Sequence, residues 1–186
     1  MKTLRRRLNA FLLSLGAARD GATAVEFAMV ALPFMTMMFA IIELGLVFVL
    51  SSTLETAVMD AGRQIRTGQL QTGAASGRTV DAFKTTVCSR MSVFATDCTN
   101  RLTLDVRVIP QFTNPNPPSP FVTSGSTTTF NPSAMTFVPG NARDIVLVRA
   151  WYKHPLFTPL MNDGLSRLKD GSAYLSSTTT FRNEPY

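Results

Sequence analysis

The chain has 186 residues, of which 18 are Lys or Arg and 12 are Asp or Glu, giving a formal net charge of +6. Hydrophobic residues make up 45% and charged residues only 16%, whereas about 25% is usual for charged residues in a soluble domain. This composition excludes a chain that is disordered throughout, and the length allows one modest domain plus an extension. One His and two Cys argue against a structural zinc site, so the sequence predicts neither a metal nor a cofactor.

The positive charge is concentrated at the N-terminus. Residues 1–21 contain five basic residues and one acidic residue, a net of +4, which leaves +2 for the rest of the chain. A nucleic-acid-binding protein is expected to keep a basic face on its folded part. Because the excess instead precedes an apolar segment, the sequence predicts a membrane topology and no nucleic-acid partner.

The apolar segment covers residues 27–50, and its only charged residue is Glu43. As a helix it reaches roughly 36 Å, which exceeds the hydrocarbon core of a bilayer at about 30 Å. The alternative is a buried core helix, which rarely runs this long with apolar residues on every side. We therefore predict a single-pass protein of a bacterial inner membrane. The positive-inside rule places its N-terminus in the cytoplasm and residues 55–186 in the periplasm.

Two carboxylates and a proline stand out in and beside this segment. Glu26 lies at its cytoplasmic end, where the side chain can reach the headgroups. Glu43 lies toward the outer leaflet, and a carboxylate there is expected to be protonated or paired with a neighbouring subunit. Pro33 removes one helical hydrogen bond, which predicts a kink, although membrane helices also tolerate proline without a special role.

The residues before the span form a basic leader, residues 1–21, that ends in Arg-Asp-Gly. A cut between Gly21 and Ala22 makes Glu26 the fifth residue of the mature chain and Phe27 the sixth. This order resembles the processing site of type IV prepilins. The stretch GATAVEFAMVALPFM, followed by IIELG, strongly resembles the TadE-like family of minor pseudopilins of the tight-adherence (Tad/Flp) pilus.

Two further stretches carry the same resemblance. The family has a second glutamate late in the membrane helix, here Glu43, and a helix rich in small residues that leaves the membrane, here SSTLETAVMDAGRQIRTGQL. The closing FRNEP, residues 181–185, is also similar to the family's C-terminal end. In physical terms, the Glu26 carboxylate can pair with the new amino terminus at Ala22 of an adjacent subunit and set the axial register of packed helices.

The resemblance implies a minor pseudopilin or pilin-like assembly factor that supports pilus biogenesis and adherence. It implies cleavage after Gly21 by a prepilin peptidase, with Glu26 and Phe27 serving in peptidase recognition and assembly. The implied partners are this peptidase, the major pilin, a sister pseudopilin, the inner-membrane assembly platform and membrane lipid. Residence in the membrane and incorporation in the extracellular fibre both stay open.

Two other interpretations also stay open. Residues 10–18, AFLLSLGAA, are similar to the short core and small-residue cut site of an ordinary signal peptide. An uncleaved single-pass protein whose exported domain binds an envelope partner needs no pilus machinery, and Gly21 and Glu26 are then incidental.

The exported portion predicts an α+β fold, in which a small antiparallel sheet of about three strands packs on the emerging helix. Its pattern divides the chain after the leader into a membrane helix at 22–50, an emerging helix at 51–70 and an exported domain at 71–186. Within that domain we predict a flexible connector at 71–78 and a helix at 79–95. Alternation of apolar and polar residues predicts a half-buried strand at 102–108. Residues 144–152 are predicted to form a second strand with more burial, and residues 173–182 a third, more polar strand near an edge.

Cys88 and Cys98 are predicted to form a disulfide, the default for such a pair outside the cytoplasm. The closed loop of 11 residues corresponds to about 2.7 kcal/mol of chain entropy. Residues 111–142 contain no charged side chain and six prolines, which predicts a long loop without regular elements. A mobile insertion is favoured there over an exposed contact loop.

No nucleotide-binding, hydrolase or metalloprotease motif is present in the sequence. His154 is the only histidine, and the sequence indicates no candidate nucleophile beside it. We therefore predict that the protein is not an enzyme. Trp151 and Tyr152 are expected in the sheet core and on the sheet surface, and Arg149 is expected at a solvated position.

Overall fold

The computed structural model describes residues 21–73, 79–91, 97–113, 115–125, 127–158, 168 and 170–186. The leader before Gly21 and most of the predicted connector lie outside the described residues. In chain order, the helices and strands are α1 (Ala22–Arg66), α2 (Gln69–Thr72), α3 (Val80–Arg90), α4 (Cys98–Arg101), β1 (Leu102–Ile109), β2 (Phe121–Ser124), β3 (Thr127–Phe130), β4 (Ile145–Pro155) and β5 (Ser172–Arg182). The predicted α+β class is confirmed.

Helix α1 is 45 residues long and joins the predicted membrane helix and emerging helix without a break. The chain divides into two compact units, residues 1–41 and residues 42–186. In the described part of the first unit, apolar side chains are exposed on every side of α1, as Phe27, Val30 and Phe34 illustrate at 74%, 70% and 62%. The helix is long and apolar enough to span a membrane.

In the second unit, one side of α1 is buried from Glu43 onward. The buried residues recur at three- and four-residue steps and form a stripe: Glu43, Val47, Leu50, Leu54, Val58, Ala61 and Ile65. This spacing keeps them on one face of a helix with 3.6 residues per turn. From Leu50 onward, the stripe packs in one core with Phe83 and Val87 of α3 and with the apolar faces of β1 and β4. Each buried Leu, Ile or Val contributes about 1.5–3 kcal/mol relative to an exposed one.

The three long strands form an antiparallel sheet in the order β1-β4-β5. The register pairs Leu102 with Tyr152 and Ile109 with Ile145, while Pro155 pairs with Ser172. As predicted, β5 lies at an edge. The central strand β4 has eight consecutive buried residues, which requires that both faces of the sheet are covered.

This two-sided burial corrects the expectation for the aromatic pair on β4. Tyr152 was expected on the surface, but it is 3% exposed and belongs to the main core. Trp151 is also buried but points to the other face, where its ring lies 6.2 Å from that of Phe130. Tyr152 therefore lies on the face of the sheet that α1 covers, and Trp151 lies on the face that β3 covers.

The covering layer comes from the segment between β1 and β4, and here the expectation of no regular element is wrong. Strands β2 and β3 form a hairpin, with Phe121 paired to Phe130 and Ser124 to Thr127. Gly125 in its turn has φ +62°, the left-handed conformation that glycine adopts most readily. The prolines lie outside both strands, so they delimit the hairpin and do not prevent it.

A buried ionic cluster ties this segment to the sheet. The Asp105 carboxylate is fully buried and accepts hydrogen bonds from Arg149 at 2.6 and 3.0 Å and from the Thr136 N–H at 3.0 Å. Arg107 also donates to Asp105, and to the Ala134 carbonyl at 3.0 Å. Arg149 donates to the Pro118 carbonyl at 2.9 Å. The expected solvated position for Arg149 is therefore wrong.

Burial of the Asp105 carboxyl acts to raise its pKa, but the hydrogen bonds from Arg107, Thr136 and Arg149 outweigh it and hold the pKa below its ordinary value. Backbone bonds continue the attachment, because the Val106 N–H donates to the Thr136 carbonyl at 2.8 Å. Because these bonds attach the segment between β1 and β4 to the sheet, it forms an ordered cover. The mobile insertion that the sequence favoured for residues 111–142 is not what the structure shows.

The disulfide between Cys88 and Cys98 is confirmed, with a Cα–Cα distance of 5.7 Å. It links the last turn of α3 to the first residue of α4. Helix α3 ends at Arg90, earlier than the predicted residue 95, and Met91 is its C-terminal cap. Residues 92–96 lie outside the described residues.

The C-terminal residues pack against the end of α1. The Phe181 ring lies over Gly62, where a Cβ would come within 3.1 Å of it. The Glu184 N–H donates to the Arg66 carbonyl at 2.8 Å, and the side chains of these two residues form an exposed ion pair. The Asn183 amide donates to the Pro139 carbonyl at 3.1 Å. The FRNEP sequence thus fastens β5 both to the helix and to the segment before β4.

We predict that Asp105→Asn destabilises the protein by about 3–5 kcal/mol, because it leaves Arg149 buried beside a neutral partner. In the wild type, the stabilisation from Asp105 is present above its unfolded pKa of about 3.9 and is lost as the pH falls through its lower folded value. The variant lacks this acid-dependent loss. Urea unfolding of the full chain in detergent micelles at several pH values measures both effects.

The matched control is Asp60→Asn, which removes an exposed ion pair with Arg90 and is expected to cost less than about 1 kcal/mol. Equal losses in the two variants contradict the structural role of the Asp105 cluster.

Candidate functional site

The residues of the predicted processing site lie together at the start of α1. Gly21 precedes the helix and Ala22 is its first residue. Both are exposed, as are Glu26 and Phe27 one turn further along. All four residues are therefore accessible to another molecule, and the side chains of Glu26 and Phe27 project from the first two turns.

Gly21 has open space among the described residues, where a Cβ built on it meets no atom within 4 Å. It is also not among the residues with positive φ. Neither the described neighbours nor the backbone conformation therefore requires a glycine at this position.

Pro33 lies inside α1, which is continuous from Ala22 to Arg66. Its ring nitrogen has no hydrogen to donate to the carbonyl four residues earlier. The kink predicted at Pro33 stays a prediction.

Glu43 lies in a cradle, by which we mean the backbone of Phe157 and Thr158 directly after β4. The Phe157 N–H donates to Oε1 at 2.5 Å, and the Thr158 N–H donates to Oε2 at 2.9 Å. Glu43 is only 4% exposed, so each carboxylate oxygen is satisfied within the same chain. Neither protonation nor a neighbouring subunit is needed to explain a carboxylate at this position.

His154 lies at the edge of the same cradle, and its ring centroid is 6.4 Å from that of Phe157. Loss of solvent around the ring lowers the His154 pKa, and the opposing effect of the Glu43 charge is smaller, so the pKa stays below its ordinary value. In the part of the chain that the structure describes, buried Nε2 has no hydrogen-bond partner. A neutral imidazole lining the cradle is consistent with a packing role.

The sequence pointed to Glu43 but not to its partners. Phe157 and Thr158 lie 114 and 115 residues further along the chain, and they contribute backbone N–H groups, which carry no residue-specific signal. The uncharged stretch of Leu156, Phe157 and Thr158 directly after a strand was the only available sign. Among the described residues, no group of three or more His, Cys, Asp or Glu side chains is placed to hold a metal ion.

Comparison with known proteins finds a similarity in the N-terminal part of the chain. Residues 21–63 match the family model described as TadE-like protein, in agreement with the resemblance seen in the sequence. The matched segment includes Gly21, Glu26, Phe27, Pro33 and Glu43, and it ends before the sheet. No curated protein and no solved structure shows significant similarity to the chain. The match associates the chain with the Tad pilus in general terms.

We predict that Glu43→Ala speeds hydrogen exchange at the Phe157 and Thr158 amides by roughly 10- to 100-fold, because hydrogen bonds to a charged group contribute about 1.5–3 kcal/mol. Hydrogen-exchange mass spectrometry of the full chain in nanodiscs measures this. Glu55→Ala, an exposed carboxylate on the same helix, is the control and should leave both amides unchanged. If the amides of residues 157 and 158 exchange equally slowly in the wild type and in Glu43→Ala, the hydrogen bonds to Glu43 are contradicted.

Proposed function

We propose that this chain, whose residues 21–63 are TadE-like, is a minor pseudopilin or pilin-like assembly factor of a tight-adherence pilus. The observation that carries the proposal is the family match, because it covers both glutamates and the whole apolar part of α1. In this role the protein supports pilus biogenesis and, through it, adherence. Its partners are the prepilin peptidase, the major pilin, a sister pseudopilin and the inner-membrane assembly platform.

The proposal includes cleavage between Gly21 and Ala22. Support comes from the exposed position of Gly21 and from the space that the described residues leave around it, since such a glycine is available to a peptidase that selects a small residue. The helix from Ala22 onward then becomes the start of the mature protein. The leader stays in the cytoplasm and the sheet lies in the periplasm, as the basic leader favours.

Glu26 has a proposed role in assembly. Cleavage creates a positive charge at Ala22, and the exposed Glu26 carboxylate can pair with that charge on an adjacent subunit. At 4 Å and an effective dielectric constant of 20, such a pair is attracted by about 4 kcal/mol. The pairing fixes one helix against the next along the bundle axis, whether in the membrane or in the fibre.

The proposal assigns no catalytic step and no cofactor to this chain. The competing function is that of an uncleaved single-pass membrane protein whose exported domain binds an envelope partner. The cover formed by residues 115–125 and 127–138 gives that alternative a structured surface. The alternative function does not explain the family match around Gly21 and Glu26.

We predict that the protein purified from native membranes begins at Ala22, and that it begins at Met1 when the prepilin peptidase is deleted. Gly21→Val should also block cleavage, because the added side chain is expected to clash with the enzyme, whereas it meets none of the described residues of this chain. Intact mass and N-terminal sequencing provide the measurement. Gly45→Ala, also in open space on α1, is the control and should be cleaved normally.

A start at Met1 in cells that contain the peptidase contradicts the proposal and favours the uncleaved alternative. A start near residue 19 that does not depend on the peptidase indicates an ordinary signal peptide.

We further predict that Glu26→Ala lowers surface pili by at least about tenfold, because an attraction of several kcal/mol is lost. Glu26→Gln should behave similarly, since it keeps the shape and removes the charge. Pili sheared from cells and quantified by immunoblot provide the measurement, with cleavage monitored in parallel. Glu55→Ala is the control. Normal processing together with normal assembly in Glu26→Ala refutes the pairing role.

A further inference from the structure

Several apolar side chains near Glu43 are exposed although Glu43 itself is buried. On the side of α1 away from the stripe, Leu44, Leu46 and Phe48 are 50%, 48% and 75% exposed. Phe157, whose N–H is bound by Glu43, is 78% exposed. No charged residue occurs between Glu43 and Glu55. An aromatic ring and a helix face of this kind are poorly suited to water.

The length of the helix indicates where these residues lie in a bilayer. Glu26 is an exposed carboxylate at the start of the apolar run, and such a group is expected at the headgroups. A hydrocarbon core of about 30 Å takes up about 20 helical residues at 1.5 Å each. Counted from Phe27, these are residues 27–46. Glu43 then lies about 5 Å inside the boundary on the side of the exported domain.

A turn of irregular backbone is costly at that depth, because lipid offers no partner for its N–H groups. In this structure the Glu43 carboxylate accepts the N–H groups of Phe157 and Thr158. The same bonds satisfy the carboxylate, which would otherwise be costly in lipid. The hydrogen bonds therefore reduce both the cost of the unpaired N–H groups and the cost of the carboxylate. The outward surface of the turn is the Phe157 ring.

We propose that residues 155–158 insert into the leaflet on the side of the exported domain, with Phe157 in contact with acyl chains at the depth of Glu43. Lipid is the partner because the exposed apolar face of α1 continues without a charge from the span through Phe48, so that lipid already surrounding the span reaches this turn. Amphipathic surfaces commonly bury about 5–10 Å into this boundary. The inference depends on the membrane span and not on the pilus function.

The test places a spin label at residue 157 of the full chain in liposomes. Both natural cysteines are joined in the disulfide, so the cysteine in Phe157→Cys is the only reactive thiol. Accessibility to oxygen, which concentrates in lipid, is compared with accessibility to a water-soluble nickel chelate. We expect oxygen to dominate at residue 157, as it should for a label in the span at Phe34→Cys.

The matched control is Phe112→Cys, another exposed phenylalanine, 56% exposed. It follows Ile109, which pairs with Ile145 at the opposite end of β4 from Pro155, and ten strand steps correspond to about 33 Å. The nickel chelate should dominate at residue 112. In the Glu43→Ala background, the label at residue 157 should shift toward the chelate, whereas Glu55→Ala should leave it unchanged.

Dominance of the chelate at residue 157, with oxygen dominant at residue 34, overturns the insertion and leaves the span intact. Protection from both reagents indicates that protein covers Phe157, for example a second copy of the chain, and also overturns the proposal. An unchanged label in the Glu43→Ala background overturns the role of the carboxylate. A water-exposed label at residue 34 overturns the span itself, and with it the inference.

Discussion

The sheet-containing domain of residues 42–186 depends on the buried stripe of α1. A three-stranded sheet has too little surface to bury its own apolar face, and the inward residues of β1 and β4, such as Val106 and Val148, pack in the same core as Leu54 and Val58. The helix that supplies this cover is also the helix that is long and apolar enough to cross a membrane. One continuous element therefore meets two requirements. It is apolar all round in its first half and apolar on one buried side thereafter.

The other face of β4 depends on a different interaction. Asp105 and Arg149 are directly paired across β1 and β4, and their buried ion pair holds the hairpin segment through the carbonyl of Pro118. A buried ion pair seldom adds much stability compared with apolar residues. Its benefit here is specificity, because a shift in strand register would separate the two charges and leave both buried without a partner.

Local pattern was sufficient to predict most of the fold. The three sheet strands, the disulfide and the emerging helix followed from alternation, cysteine context and helical spacing. The errors concern contacts between distant parts of the chain. Arg149 was misplaced because the cover over its face of β4 comes from a segment dominated by proline and threonine. Tyr152 was misplaced because it lies on the other face, in the core that α1 covers. The sequence FVTSGSTTTF in fact has a hairpin pattern, with Gly-Ser between two strands, but the surrounding prolines suggested a loop.

The candidate site shows the same division. Gly21, Ala22, Glu26 and Phe27 are adjacent in sequence, so their common position at the start of α1 could be predicted. The partners of Glu43 could not be predicted, because they are backbone groups more than a hundred residues away.

That long-range contact also bears on how the protein works. The bonds between Glu43 and residues 157 and 158 lie within the second unit, as does the whole buried stripe from Val47 to Ile65. If α1 leaves the bilayer during the proposed assembly, these internal contacts need not break. The side chains that must exchange lipid for protein are then the exposed ones among residues 22–42, the outer face around Phe48, and Phe157. In that assembly, the bonds to Glu43 keep the folded domain attached to a helix whose surroundings change.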